Sequence, residues 1–84
     1  MRGFAQPMPD ITIDTKGMKC PLPVLKARKA MKSLQPGGTM EVLATDPGAA
    51  KDFEHFCSVT GAKMLEAREE PGGVLVFLIE KPPA

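Results

Sequence analysis

Eighty-four residues make room for one domain with one modest core and exclude a second domain. With 43% hydrophobic and 25% charged residues, the composition is that of a folded globular chain, which excludes disorder throughout. Eleven basic residues against ten acidic ones leave a net charge of +1, so no global field draws the chain to nucleic acid or to an anionic membrane. The opening stretch lacks the apolar core of a secretory signal, and the longest apolar run, Val74 to Ile79, is too short to cross a bilayer. A cytoplasmic location is the resulting expectation. In such a reducing compartment two cysteines far apart in sequence read as free thiols.

The first nine residues, with Pro7 and Pro9, read as a loose tail ahead of a single domain over 10–81, with 82–84 as a short C-terminal tail. Asp10 to Asp14 alternates polar and apolar residues, the period of a strand with one buried face. Gly17 breaks it. After Pro21 and Pro23, the residues Val24, Ala27, Met31 and Leu34 recur at helical spacing, and Gln35-Pro36-Gly37-Gly38 stops that helix. A second strand over about 39–45 places Met40, Val42 and Ala44 on one face. Asp46-Pro47 reads as an N-cap carboxylate followed by proline at the first helical position. The second helix then carries Ala49, Phe53, Phe56 and Thr60 inward and stops at Gly61. Residues 62–69 form a third strand candidate, Pro71-Gly72-Gly73 turns the chain, and Val74 to Ile79 is apolar at every position, as suits a strand inside a sheet.

The order β-α-β-α-β-β predicts an α/β (α+β) two-layer sandwich, a four-stranded mixed sheet with both helices on one face. Right-handed crossovers place consecutive helices on the same side, and the last two strands pair as an antiparallel hairpin.

Two cysteines carry the candidate chemistry. Cys20 precedes Pro21 at the mouth of the first helix, near the positive end of its dipole, with Lys16 and Lys19 close in sequence. Both influences favour the thiolate, the form that attacks sulfur. Pro21 and Pro23 have no N–H, so they stiffen the turn and present the sulfur, and backbone donation falls to neighbours such as Leu22 and Val24. Cys57 follows Phe56 on the apolar stripe of the second helix and reads as a buried, inert thiol. Its alternative role is a resolving thiol for Cys20 in a thiol-disulfide regulator.

Other chemistries lack their residues. No Cys-x-x-Cys or His-x-x-x-His spacing supports a metal, so no metal ligands are assigned. Gly37-Gly38 and Gly72-Gly73 precede strands, which excludes a phosphate loop. His55 reads as a surface residue. Tyrosine and tryptophan are absent, which removes the usual stacking platforms of an RNA-binding regulatory module. Lys16, Lys19, Lys26, Arg28, Lys29 and Lys32 gather on the segment bearing Cys20, a patch suited to steering an acidic protein toward the thiol. Met18 is a candidate docking contact beside it.

The stretch Asp14-Thr15-Lys16-Gly17-Met18-Lys19-Cys20-Pro21-Leu22-Pro23 resembles the signature of the TusA/SirA-like sulfur-carrier family, an acidic residue and a glycine turn ahead of Cys-Pro-x-Pro. The likeness continues through Leu34-Gln35-Pro36-Gly37, Thr45-Asp46-Pro47, Phe56-Cys57 and the closing hairpin. The resemblance implies that Cys20 carries a persulfide sulfur, with Pro21, Leu22 and Pro23 as its supporting motif and with Lys19 and Arg28, from the patch that includes Lys16 and Lys26, at positions used in docking. It implies a cysteine desulfurase or rhodanese-like donor and a downstream acceptor protein, in tRNA thiolation, cofactor assembly or sulfur oxidation. It also implies a relay protein more than a self-contained enzyme. No other cofactor, no membrane and no nucleic acid is expected, and a carrier docking through one small face is expected to be a monomer.

Overall fold

Alternation builds the first strand, β1 (Ile11–Thr15): Ile13 and Thr15 are buried, while Thr12 and Asp14, which alternate with them, are exposed. The computed structural model describes residues 9–82. The other elements follow in the expected order: α1 (Leu22–Met31), β2 (Thr39–Ala44), α2 (Ala49–Thr60), β3 (Lys63–Glu70) and β4 (Val74–Glu80). The tail read for 1–9 lies outside the described residues except for Pro9, as do the last two residues of the tail read for 82–84.

The strands form one mixed sheet in the order β1-β2-β4-β3. β1 and β2 are parallel, with Ile13 opposite Val42 and Thr15 opposite Ala44. β4 is antiparallel to both β2 and β3, so its continuous apolar run has a neighbour on each side. Cross-strand pairs Met40–Ile79, Val42–Phe77 and Ala44–Leu75 put one sheet face under both helices. On that face Ile13, Met40, Val42, Ala44, Phe77 and Ile79 join Ala27, Met31, Ala49, Phe53 and Phe56 in a single core.

α1 buries Pro23, Ala27 and Met31 at steps of four, with Val24 half-buried beside them. Pro23 therefore does more than stiffen the turn, because its ring is one of the most completely buried side chains. The helix tightens after Met31: Lys32, Ser33 and Leu34 each donate to the carbonyl three residues back. α2 buries Ala49, Phe53 and Phe56. Phe53 packs edge-on against Phe56 at 6.0 Å and against Phe77 of β4 at 5.1 Å. Those contacts fix which side of α2 faces the sheet. Gly61 ends α2 at φ 81°, its N–H bonded to the Cys57 carbonyl, and β3 starts one residue later than its apolar pattern predicts because this cap occupies residues 61–62.

Neither helix covers the other sheet face. Its centre is apolar, with Leu43 opposite Val76 and Leu78 opposite both Glu41 and Glu66. Arg68 stands opposite Val76 and is held by Glu66 at 2.9 Å and Glu70 at 3.2 Å. Val76 is only 1% exposed, the shielding expected from a clamped arginine stem lying over its cross-strand neighbour.

Candidate functional site

Parallel pairing brings the carboxyl ends of β1 and β2 side by side, and with them the loops that lead into α1 and α2. These loops are bonded to each other. The Gly17 N–H donates to Thr45 Oγ1 at 2.9 Å, and the Cys20 N–H donates to Asp46 Oδ2 at 2.8 Å. Below them the buried Thr15 hydroxyl donates to the Leu43 carbonyl, and the Met18 N–H to the Thr15 carbonyl at 3.1 Å. Cys20 thus sits on a braced loop, yet it is exposed.

The Cys20–Pro21 peptide is cis, and Pro21 is the N-cap of α1. The Leu22 N–H is taken by the Lys19 carbonyl at 2.9 Å. Pro23 has none, so Val24 is left to supply what amide donation the helix mouth offers.

Sequence neighbours surround Cys20 with positive charge, but the fold surrounds it with carboxylates. The Cys20 thiol donates a hydrogen bond to Asp52 Oδ2, from the first turn of α2. Asp46 holds the amide of the same residue. The bond to Asp52 pushes the thiol above its ordinary ionisation range, and desolvation and the charges of Asp52 and Asp46 act in the same direction. Lys16 pairs instead with Asp14, at 3.9 Å between exposed side chains. The expectation of a favoured thiolate is thereby corrected: the surroundings of Cys20 raise its thiol and do not lower it.

Asp46 is corrected as well. The N-cap of α2 is Gly48, and no side chain caps that helix. Asp46 Oδ2 is committed to Cys20, while Oδ1 accepts from the Gly48 N–H at 3.4 Å. Pro47-Gly48 adds a turn ahead of the helix, closed by the Ala49 N–H on the Asp46 carbonyl at 3.0 Å.

The residues read as docking contacts divide into two places. Lys19 and half-buried Met18 line a groove of about 230 Å³ with Gly17, Thr45, Asp46 and Pro47, next to the sulfur. Arg28 lines a separate cleft of about 190 Å³ between the two helices, with Met31 and Phe56 beneath and Lys32 and Lys81 around it. Lys26 is exposed on α1. Leu22 and Leu25 lie just past Cys20 and are 52% and 54% exposed, an apolar pair on the rim of the site. Sequence reasoning gives Leu25, Thr45 and Asp52 no role. Parallel pairing of the first two strands is the available signal, since it forces the two loops together.

The family model described as sulfurtransferase TusA matches residues 11–81. The chain belongs to the TusA family. Among relatives, the sulfur carrier protein TusA of Allochromatium vinosum is 44% identical over 72 residues, covering 86% of this chain and 93% of that one. The sulfur carrier protein TusA of Pseudomonas aeruginosa is 36% identical over 72 residues, covering 86% and 91%. The crystal structure of a SirA-like protein from Desulfitobacterium hafniense superposes with a TM-score of 0.78 at 32% identity, over 86% of this chain and 97% of that one.

In this TusA-family chain the second cysteine has different surroundings. Cys57 is half-buried against the core, and burial raises its thiol above the ordinary range. His55 is exposed. Among the described residues no group of three or more His, Cys, Asp or Glu side chains is placed to hold a metal. No described helix is long and apolar enough to cross a membrane.

Proposed function

We propose that this chain is a cytoplasmic, monomeric sulfur carrier in which Cys20 takes a sulfane sulfur as a persulfide and hands it to an acceptor protein. One observation carries the reading: Cys20 is exposed on a loop braced at both Gly17 and Cys20, at the Cys-Pro-x-Pro motif inside the region matched to the TusA family. A relay protein needs a sulfur that two different partners can reach in turn, on a mount rigid enough to aim it.

Loading is thiol exchange. Cys20 Sγ attacks the outer sulfur of a donor persulfide, the new Sγ–S bond forms, and the donor S–S bond breaks. The donor leaves with the electron pair and recovers a proton as a thiol. Unloading repeats the exchange, with an acceptor cysteine attacking the outer sulfur of Cys20. No net oxidant or reductant is consumed. The donor class that fits is a cysteine desulfurase or rhodanese-like protein, and the acceptor belongs to tRNA thiolation, cofactor assembly or sulfur oxidation.

Intact-mass spectrometry after incubation with a cysteine desulfurase and cysteine tests this. The wild type and Cys57→Ser are expected to gain the mass of a sulfur atom, and Cys20→Ser to gain none. Loading that survives Cys20→Ser, or that needs Cys57, overturns the reading in favour of thiol-disulfide chemistry between the two cysteines.

A further inference from the structure

Asp52 is 32 residues from Cys20 in sequence, yet its carboxylate receives the thiol hydrogen bond. That meeting has structural causes at both ends. Phe53, the next residue, is fully buried and packed against Phe77, which sets the rotation of α2. The Asp52 N–H is also bonded to the Gly48 carbonyl at 3.2 Å, which settles the first turn. At the other end, Asp46 grips the Cys20 amide. Two carboxylates from two different segments therefore hold one residue, one by its backbone and one by its sulfur.

The charged groups around Cys20 are Asp52 from α2, Asp46 from the loop before it, and Lys16 and Lys19 on its own loop. Lys16 is engaged by Asp14 through both its ammonium and its N–H. Lys19 faces the groove shared with Thr45 and Asp46. The sulfur itself is left with a carboxylate as its partner.

We propose that Asp52 is a positioning residue for sulfur transfer: it holds the Cys20 thiol aimed and protonated in the free carrier and receives the proton when the sulfur attacks. In the free protein a thiol bonded to a carboxylate is a poor nucleophile, because thiolate next to that charge is disfavoured. A bare thiolate on an exposed loop would react with any disulfide or oxidant it met. Docking of a donor that excludes water near Asp52 raises the carboxylate's affinity for the proton at the moment of transfer. The proton then passes from Sγ to Asp52 and on to the departing donor thiolate, as the Sγ–S bond forms and the donor S–S bond breaks. Once loaded, Sγ has no hydrogen left to donate, so the bond to Asp52 exists only in the empty carrier.

This inference rests on Cys20 being the sulfur-bearing residue, and its test reads the two apart. In a Cys57→Ser background, the rate of Cys20 alkylation by iodoacetamide is measured across pH for the parent, Asp52→Asn and Asp52→Glu. Asp52→Asn is expected to move the profile to lower pH and to speed alkylation at neutral pH, about tenfold if the profile moves by one pH unit. Asp52→Glu is expected to restore much of the parental profile, and circular dichroism confirms that each variant is folded. A merely structural role for Asp52 would not move the pH profile. An unchanged profile for Asp52→Asn overturns the inference while leaving the carrier reading standing. Desulfurase loading that persists in Cys20→Ser overturns the carrier reading, and the transfer role of Asp52 falls with it even if the profile moves.

Discussion

At the scale of single residues, Cys20 shows how far through-space contacts can reverse what sequence neighbours imply. Lys16 and Lys19 precede it, but Asp46 and Asp52, 26 and 32 positions away, are its actual hydrogen-bond partners. Gly38 is a second residue whose role is set by distant groups. A Cβ there would lie 2.9 Å from the Gln35 carbonyl oxygen and 3.0 Å from Asp10 Oδ2. The first is backbone, and the second is fixed by the Thr39 N–H at 2.9 Å. Neither can yield without losing a bond. Gly38→Ala is therefore expected to destabilise the fold by about 1–3 kcal/mol, the usual cost of overpacking. Gly48→Ala, where the nearest atom is an ordinary 3.7 Å away, serves as the control in urea unfolding. Equal midpoints for the two variants would refute the steric explanation.

At the scale of elements, what the sequence discloses is whatever repeats with the period of a helix or a strand. Met40, Val42 and Ala44 alternate and are buried, and Ala49, Phe53 and Phe56 step by four and three and are buried. Gly61 is legible as a helix stop because glycine alone enters φ 81° without penalty. Gly61→Ala is expected to cost about 1–2 kcal/mol and to lower the thermal midpoint while leaving Cys20 alkylation unchanged, because the strain falls at the end of α2 remote from Asp52. The start of α2 departs from its sequence pattern for a physical reason. Asp46-Pro47 has the chemistry of a cap, but the Cys20 amide takes Asp46 Oδ2 at 2.8 Å and leaves Oδ1 only a long 3.4 Å bond to the Gly48 N–H outside the helix. Local propensity names what a residue could bond, and the parallel β1–β2 pairing determines what it does bond. Cys20 and its motif are legible in the sequence; the carboxylates that surround the cysteine are not.

Across the whole molecule the near-zero net charge conceals a separation. α1 carries Lys26, Arg28 and Lys29 and no acidic residue, while the sheet face away from the helices carries Glu41, Glu66 and Glu70, the last two clamping its Arg68. Cys20 opens the basic element, with Leu22 and Leu25 exposed at the junction. A partner with an acidic rim around an apolar centre is complementary to that side, and an approach from the sheet side would leave the sulfur facing away from α1's charge. The double variant Lys26→Glu/Arg28→Glu is therefore expected to slow sulfur transfer from an acidic donor by about tenfold or more at low salt, where steering is strongest. The gap should narrow as salt rises, since the screening length falls from about 10 Å at 0.1 M to about 3 Å at 1 M. Iodoacetamide is uncharged, so Cys20 alkylation in the same variant reports whether the thiol itself has changed. A transfer rate insensitive to this double reversal but reduced by Glu66→Lys/Glu70→Lys would place docking on the open sheet face. The basic helix would then be a solvated surface with no part in recognition.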